Sequence, residues 1–282
     1  MTDYEYTSKM KQNLHTHSTY CDGKDTPREM VERALELGLD SLGFSGHANT
    51  SLADDCEMRN EKMARYIEEV SRLKEEYRDR IKIYLGCELD YYSPGYLPDF
   101  KFDYTIASVH YTVKDGVAVP FDYSAERTKD AIARLFGGDA LEYVRSYYEK
   151  VATMHQRLGG DFVGHFDLVT KFSETNPEIF DTGSTQYRKI ALEALHATRE
   201  KYEFFEVNTG AIGRGYRKTP YPDPFILKEM KRINCKLLIT SDCHNRMFLD
   251  CAYTEALELI RAAGFDEIYY LSDRGFVGRK IK

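Results

Sequence analysis

Eight histidines are spread over 282 residues. His15, His17, His47, His110, His165 and His244 each follow a short run of the kind that forms a strand, whereas His155 and His196 fall within helical patterns. The run Asn13-Leu14-His15-Thr16-His17 ends in two imidazoles, and Ile239-Thr240-Ser241-Asp242-Cys243-His244 ends in a carboxylate and an imidazole. Gly86-Cys87-Glu88 ends in a carboxylate alone. Residues two apart on an extended chain point to the same side, so the rings of His15 and His17 can reach one point. Neutral imidazole with carboxylate oxygen suits Zn, Mn or Fe, and the lack of thiolates in the pattern argues against a Cys-type structural zinc site. A shared carboxylate such as Glu88 can bridge two ions about 3.5–4 Å apart. The candidate ligands are therefore His15, His17, Asp22, His47, Glu88, His110, His165, Asp242 and His244. Singly, each has a plainer reading: His47 or His110 as a hydrogen-bonded structural residue, Asp22-Gly23 as a turn. Together they repeat one positional rule, immediately after a strand, that core packing does not require. The chemistry this points to is metal-dependent hydrolysis of a phosphate ester.

Such ligands need a scaffold that ends its strands at one place. Strand patterns occur at Met10–Leu14, Ser41–Ser45, Ile81–Cys87, Tyr104–Val109, Phe162–Gly164, Phe204–Val207 and Lys236–Thr240, with a last strand-like run at Ile268–Leu271. Between them, Thr26-Pro27-Arg28-Glu29 predicts a helix start, with Thr26 as cap and Glu29 completing a capping box. Met30, Val31, Ala34, Leu35 and Leu37 give that helix its apolar face, and Gly38 ends it. Further helices are predicted over Glu61–Arg80, Asp139–Leu158, Ser184–Glu200, Pro224–Ile233 and Tyr253–Ala263. Asp90–Asp103, with Pro94, Gly95 and Pro98, reads as a loop. Lys114–Gly138 reads as an irregular insertion near the strand ends, and residues 1–9 as a polar, frayed segment. Strands alternating with helices imply a mostly parallel sheet. Chemical residues follow nearly every strand rather than one crevice. A closed or nearly closed α/β barrel therefore fits better than an open sheet, as one domain over residues 1–282.

Composition narrows the partners. The net charge is −7, from 39 basic and 46 acidic residues. That disfavours a broad nucleic-acid or membrane surface, though not a local anion site. No apolar run approaches the about 20 residues of a membrane span. The six cysteines (Cys21, Cys56, Cys87, Cys235, Cys243, Cys251) show no Cys-x-x-Cys spacing and read as free thiols of a cytoplasmic protein. Oligomeric state is left open.

The set His15-Thr16-His17, Gly46-His47, Gly86-Cys87-Glu88, Ser108-Val109-His110, Gly164-His165 and Ser241-Asp242-Cys243-His244 resembles the PHP (polymerase and histidinol phosphatase) family in order and spacing. The resemblance implies a distorted, TIM-like barrel of seven strand–helix units, the PHP fold, holding up to three metals. Carried over by position, it would place His15, His17, Glu88 and Asp242 on the first metal. Glu88, His110 and His165 would hold the second, and Asp22, His47 and His244 the third. Many members have histidine where this chain has Asp22. Three stretches are similar to the family's histidinol-phosphate phosphatases: Glu88-Leu89-Asp90-Tyr91-Tyr92, Gly164 to Phe172, and Glu206-Val207-Asn208-Thr209-Gly210 followed by an arginine-bearing loop. A departure lies in Gly210-Ala211-Ile212-Gly213-Arg214, where the family more often has Ser-Gly-Leu-Arg, so the arginine is displaced along the loop.

The resemblance implies hydrolysis of L-histidinol phosphate in histidine biosynthesis, through in-line attack of metal-activated hydroxide without a phosphoenzyme. Two or three divalent cations (Zn, Mn or Fe) would serve, and Asp242 or His244 would handle the proton. An arginine fork matches phosphate oxygens; the candidates are Arg214, then Arg188 and Arg217, with Lys171 beside them. Asn208, at a strand end, is a candidate substrate contact. Acidic partners for the substrate amine would come from Glu206, Asp90 or Asp122. Two alternatives keep the metals: a nuclease or cyclic-phosphate phosphodiesterase, and a phosphatase of another small ester. A third, a non-catalytic metal-binding domain, sits poorly with a full set of nine candidate ligands.

Overall fold

The computed structural model describes residues 11–52, 57–94 and 100–281. Expectations placed on the N-terminal nine residues, Met10, Cys56, Gly95 and Pro98 lie outside these. Seven strands form one parallel sheet in the order β1 (Gln12–Asn13), β2 (Ser41–Phe44), β3 (Lys82–Asp90), β4 (Tyr104–Ser108), β7 (Phe162–Val163), β8 (Phe204–Asn208) and β9 (Lys236–Thr240). Just beyond β1 and β9 the sheet meets itself. The His17 amide donates to Cys243 O at 2.8 Å and the Cys243 amide donates to His15 O at 3.0 Å. The result is the nearly closed, distorted seven-stranded barrel that the resemblance implies, with helices between its strands except, among the described residues, from β3 to β4.

Local chemistry explains the helices. Thr26 accepts from the Glu29 amide while Glu29 Oε2 accepts from the Thr26 amide at 2.8 Å, so the capping box forms ahead of Pro27–Glu36. Gly38, with φ of 66°, turns the chain out of that helix in the left-handed region. Ser184 caps Thr185–Arg199 and Asp223 caps Pro224–Arg232. Two helices stop short of their predicted ends. One runs Asn60–Glu76 and the other Ala140–Thr153, the latter tightening into a 3₁₀ turn at Met154–Gln156.

Two expectations are corrected. The segment 114–138 is ordered rather than irregular: β5 (Tyr111–Lys114) and β6 (Val117–Pro120) form a hairpin, followed by a helix at Ala125–Leu135. Asp115 and Gly116, both at positive φ, make the two-residue turn. The last strand-like run is no barrel strand. It forms β10 (Glu267–Ser272), paired antiparallel with β11 (Gly275–Lys280).

That hairpin plugs the N-terminal mouth of the barrel. Leu271 packs with Leu14, Tyr84, Tyr104, Ile106, Phe162 and Leu238, and its carbonyl accepts from Gln12 Nε2 and Tyr84 Oη. Tyr104 fills the barrel interior, its hydroxyl reaching Leu14 O at 2.5 Å and Phe44 O at 3.0 Å. The ring fits because residue 86 is glycine; a Cβ there would run into it. With its lower half filled and plugged, the barrel is left with its cleft at the C-terminal strand ends. Among the described residues no helix is long and apolar enough to cross a membrane.

Candidate metal centre

All nine candidate ligands meet at those strand ends, in four overlapping groups: His17–Asp22–His47–His244, His15–Glu88–His165, His15–His17–Asp242 and His47–Glu88–His110. Glu88 is the hub. Its Oε1 lies 3.1 Å from His165 Nε2 and 3.4 Å from His110 Nε2. Its Oε2 lies 3.2 Å from His15 Nε2, 3.6 Å from His17 Nε2 and 3.0 Å from His47 Nδ1. Asp242 Oδ1 faces His17 Nε2 at 3.2 Å and His15 Nε2 at 3.5 Å. Asp22 faces His244 Nε2 at 3.0 Å, His17 Nδ1 at 3.5 Å and His47 Nε2 at 3.6 Å. His15, His17, His47 and Glu88 thus each belong to two groups, whereas the resemblance shares Glu88 alone between sets. Asp242 has φ of 43°, a left-handed conformation that Asp tolerates better than most residues.

These side chains fit divalent cations. Among the described residues, His15 Nε2, His17 Nε2 and Glu88 Oε2 are buried and have no hydrogen-bond partner, though they face one another across the cluster. Buried polar atoms are ordinarily paired, and here three unpaired ones converge with donors of the N and O type that Zn, Mn and Fe accept.

Their charges are strongly coupled. Burial opposes ionisation of Glu88, yet His15, His110 and His47 hold it well below the usual carboxylate range. Asp242 is likewise held low against burial, by Arg214 first and then His15. Burial would lower His15, but Glu206, Glu88 and Asp242 raise it well above its ordinary value. His47 is raised against burial by Asp22 and Glu88. His110 is raised to about 10 against burial by Glu88 and Asp90. His17 goes the other way, to about 3, through burial and the neighbouring His244 and His47. Protons therefore occupy part of the positive charge that cations would supply.

A second layer orients the ligands. Glu206 is fully buried. Its Oε2 accepts from His15 Nδ1 at 2.9 Å and Thr240 Oγ1 at 2.7 Å; its Oε1 accepts from the His165 amide at 2.6 Å and Asn208 Nδ2 at 2.7 Å. Asp90 Oδ2 accepts from the His110 amide at 2.8 Å, with His110 Nδ1 at 3.3 Å. A carboxylate on one ring nitrogen fixes the tautomer and leaves the other free to bind. Glu206 is thus placed behind His15 and His165, while Asp90 holds His110 and also lines the cleft. The sequence carries a signal for the first: a carboxylate inside the apolar strand β8.

The remaining candidates separate by position. Arg214 reaches the cluster despite its displacement, with Nη2 3.0 Å from Asp242 Oδ2 and Nη1 2.8 Å from His244 Nδ1. Gly210 permits this; a Cβ there would stand 2.8 Å from Ser241 O and 2.9 Å from Asp242 Cβ. Lys171 lines the cleft and donates to Asp122 O at 2.7 Å. Arg188, Arg217 and Asn208 are not brought to the cleft. Arg188 lies over the Phe225 ring. Arg217 is buried among Asp167, Thr170 and Glu174. Asn208 is committed to Glu206 and to the Gly210 amide. Lys24 and Glu57, which the sequence did not single out, both line the cleft.

A barrel whose strand ends gather nine imidazoles and carboxylates over one cleft is the architecture of a metal-dependent hydrolase. The PHP domain family model matches residues 13–210, and the chain belongs to this family. It is 30% identical to a histidinol-phosphatase of Bacillus subtilis (strain 168) over 273 residues, covering 88% of this chain and 98% of that protein. It is 25% identical to a histidinol-phosphatase of Lactococcus lactis over 267 residues, covering 92% and 93%. In fold it is similar to the crystal structure of a Lactococcus lactis histidinol phosphate phosphatase complexed with Zn, L-histidinol and phosphate. That likeness has a TM-score of 0.71 at 24% identity, covering 95% of this chain and 98% of the other.

Proposed function

We propose that the protein is a histidinol-phosphatase, hydrolysing L-histidinol phosphate to L-histidinol and phosphate within histidine biosynthesis in the cytoplasm, as one catalytic domain over residues 1–282. The observation that carries this is the convergence of unpaired His15 Nε2, His17 Nε2 and Glu88 Oε2 under a cleft rimmed by Arg214 and lysines. The names of relatives that align over most of the chain support the substrate.

His15, His17, Glu88 and Asp242, with His110 and His165 on one flank and Asp22, His47 and His244 on the other, would hold two or three cations. When bound, these supply Lewis-acid neutralisation of the phosphoryl oxygens and a nucleophile from water near neutral pH. The protein's own groups do the rest. Arg214 offers a planar fork at the cleft mouth, matched to phosphate oxygens. Lys24 and Lys171 add positive potential along the cleft, which draws in a phosphate ester despite the acidic chain. Asp242 is held ionised, by Arg214 first and then His15, which suits a cation-holding carboxylate rather than one that carries a proton. His244, bridging Asp22 and the Arg214 fork, is the candidate to move a proton at the leaving oxygen. Glu206 and Asp90 hold the His15 and His110 rings in ligating orientation.

The test is phosphate release from L-histidinol phosphate beside a bis-aryl phosphodiester. Fast turnover of the monoester, lost by at least 100-fold in His17→Ala, is expected. Cleavage of the diester alone would move the chain to the phosphodiesterase branch.

A further inference from the structure

Among the described residues, one carboxylate of the cleft is employed neither by the metal centre nor by a lysine. Asp22, Glu88 and Asp242 belong to the donor groups, Asp90 holds His110, and Asp122 is paired with Lys171 at 3.3 Å. Glu57 belongs to none of these. Its side chain is 4% exposed, yet it lines the same cleft as His47, His110 and Arg214. Only one of its oxygens is engaged. The Leu52 amide donates to Thr50 Oγ1 at 3.1 Å, which leaves the Thr50 hydroxyl proton for Glu57 Oε1. Among the described residues, Oε2 is buried with no hydrogen-bond partner. The nearest cation among the described residues is the exposed Arg59 guanidinium, which stands off at 4.0 Å and makes no hydrogen bond to it.

The backbone fixes where this oxygen sits. The next residue, Met58, donates its amide to His47 O at 3.0 Å, and Ala48 and Met58 are bridged as parallel strands. Glu57 is therefore tied, one residue away, to the segment that carries His47. It keeps a set place relative to the metal centre rather than swinging on a free loop.

A buried carboxyl group with one unfilled acceptor is costly unless a donor meets it. Glu57 does not share a donor group with other ligands, so a metal is a poor fit. An alkylammonium, with three donors on a compact charge, is a good one. We infer that Glu57 receives the ammonium group of the substrate and makes this site selective for amine-bearing phosphate monoesters. This rests on the monoesterase reading above and adds the residue that would separate histidinol phosphate from neutral esters of similar size.

The experiment compares kcat/KM for L-histidinol phosphate with that for its des-amino analogue, 3-(imidazol-4-yl)propyl phosphate, in the wild type, Glu57→Gln, Glu57→Asp and Thr50→Val. Metal content and thermal midpoint are measured on each preparation. The wild type is expected to favour the amine-bearing ester. In Glu57→Gln the preference should fall about 10- to 100-fold, the loss of one charge-assisted contact, mainly through KM. Glu57→Asp should restore part of it, and Thr50→Val, which frees the carboxylate to turn, should erode it less than Glu57→Gln does. A wild type that hydrolyses both esters equally, or a Glu57→Gln enzyme with the wild-type preference, overturns the inference and leaves the monoesterase reading standing. Parallel loss on both esters also overturns it, since Glu57 would then support only the loop. A wild type that hydrolyses neither ester removes the monoesterase reading, and the inference with it.

Discussion

Glu206→Gln isolates the second layer. The carboxylate is fully buried and all four of its close partners are positioned as donors: His15 Nδ1, Thr240 Oγ1, the His165 amide and Asn208 Nδ2. A glutamine must turn its own N–H₂ toward one pair of them. Facing His165 and Asn208, it sets donor against donor, and Asn208 cannot flip without losing the Gly210 amide, 2.8 Å from its Oδ1. Facing His15, it favours the tautomer with the proton on Nε2, which blocks the nitrogen aimed at Glu88 and Asp242. Either way at least one hydrogen bond to a charged group is lost, worth about 1.5–3 kcal/mol. Losing such a partner typically lowers metal affinity about 10- to 100-fold. The assay titrates metal-loaded protein with a chelator, follows retained metal and activity together, and repeats activity at saturating metal. The expected result is a chelator midpoint shifted by at least tenfold, with much of the activity regained when metal is in excess. A variant that loses thermal stability but keeps the wild-type chelator midpoint would refute the orienting role.

Four further outcomes follow from the same geometry. His110 is raised to about 10, above the about 6.5 of an unfolded chain. In metal-free protein its contribution to stability is complete below about pH 6.5 and is lost as pH rises towards 10. Thermal midpoints of metal-free protein should therefore fall over that window. Metal binding should also release protons, measurable by calorimetry in buffers of different ionisation enthalpy. Gly210→Ala drives a Cβ to 2.8 Å from Ser241 O and 2.9 Å from Asp242 Cβ. It should displace the Arg214 loop, lower kcat/KM at least tenfold and destabilise the fold by about 1–3 kcal/mol, read by kinetics and urea unfolding. Leu271→Ala opens the plug at the opposite end of the barrel. It should lower stability by about 2–4 kcal/mol in urea while kcat/KM stays within twofold.

The strand-end candidate ligands are legible in the sequence for a physical reason. Ligands must converge, a parallel barrel converges only at one set of strand ends, and so His15, His17, His47, His110, His165 and His244 share a local context that ordinary core histidines lack. The helix starts at Thr26, Ser184 and Asp223 are legible because capping is local chemistry. The β5–β6 hairpin carries its signal in Asp115-Gly116 between alternating residues, though its strands are too short to stand out from a loop. The Ile268–Leu271 run shows a strand but not its partner, because antiparallel pairing with Gly275–Lys280 is a tertiary choice. Arg188 and Arg217 look like phosphate ligands by residue type alone. Only the packing of Arg188 over Phe225, and of Arg217 against Asp167 and Glu174, separates them from Arg214. Glu57 is the least legible of all. Its local sequence does not distinguish it from a surface glutamate, and only the closure of Thr50 and Met58 around it does.

The measurement that bears most directly on the account is phosphate release from L-histidinol phosphate by a single preparation, stripped of metal and then reloaded stepwise with Zn, Mn or Fe, with metal per chain determined at each step. The account predicts no turnover without metal and a rate that climbs with occupancy to a plateau at two or three ions per chain. Full turnover in the stripped protein, or none at any loading, would contradict it.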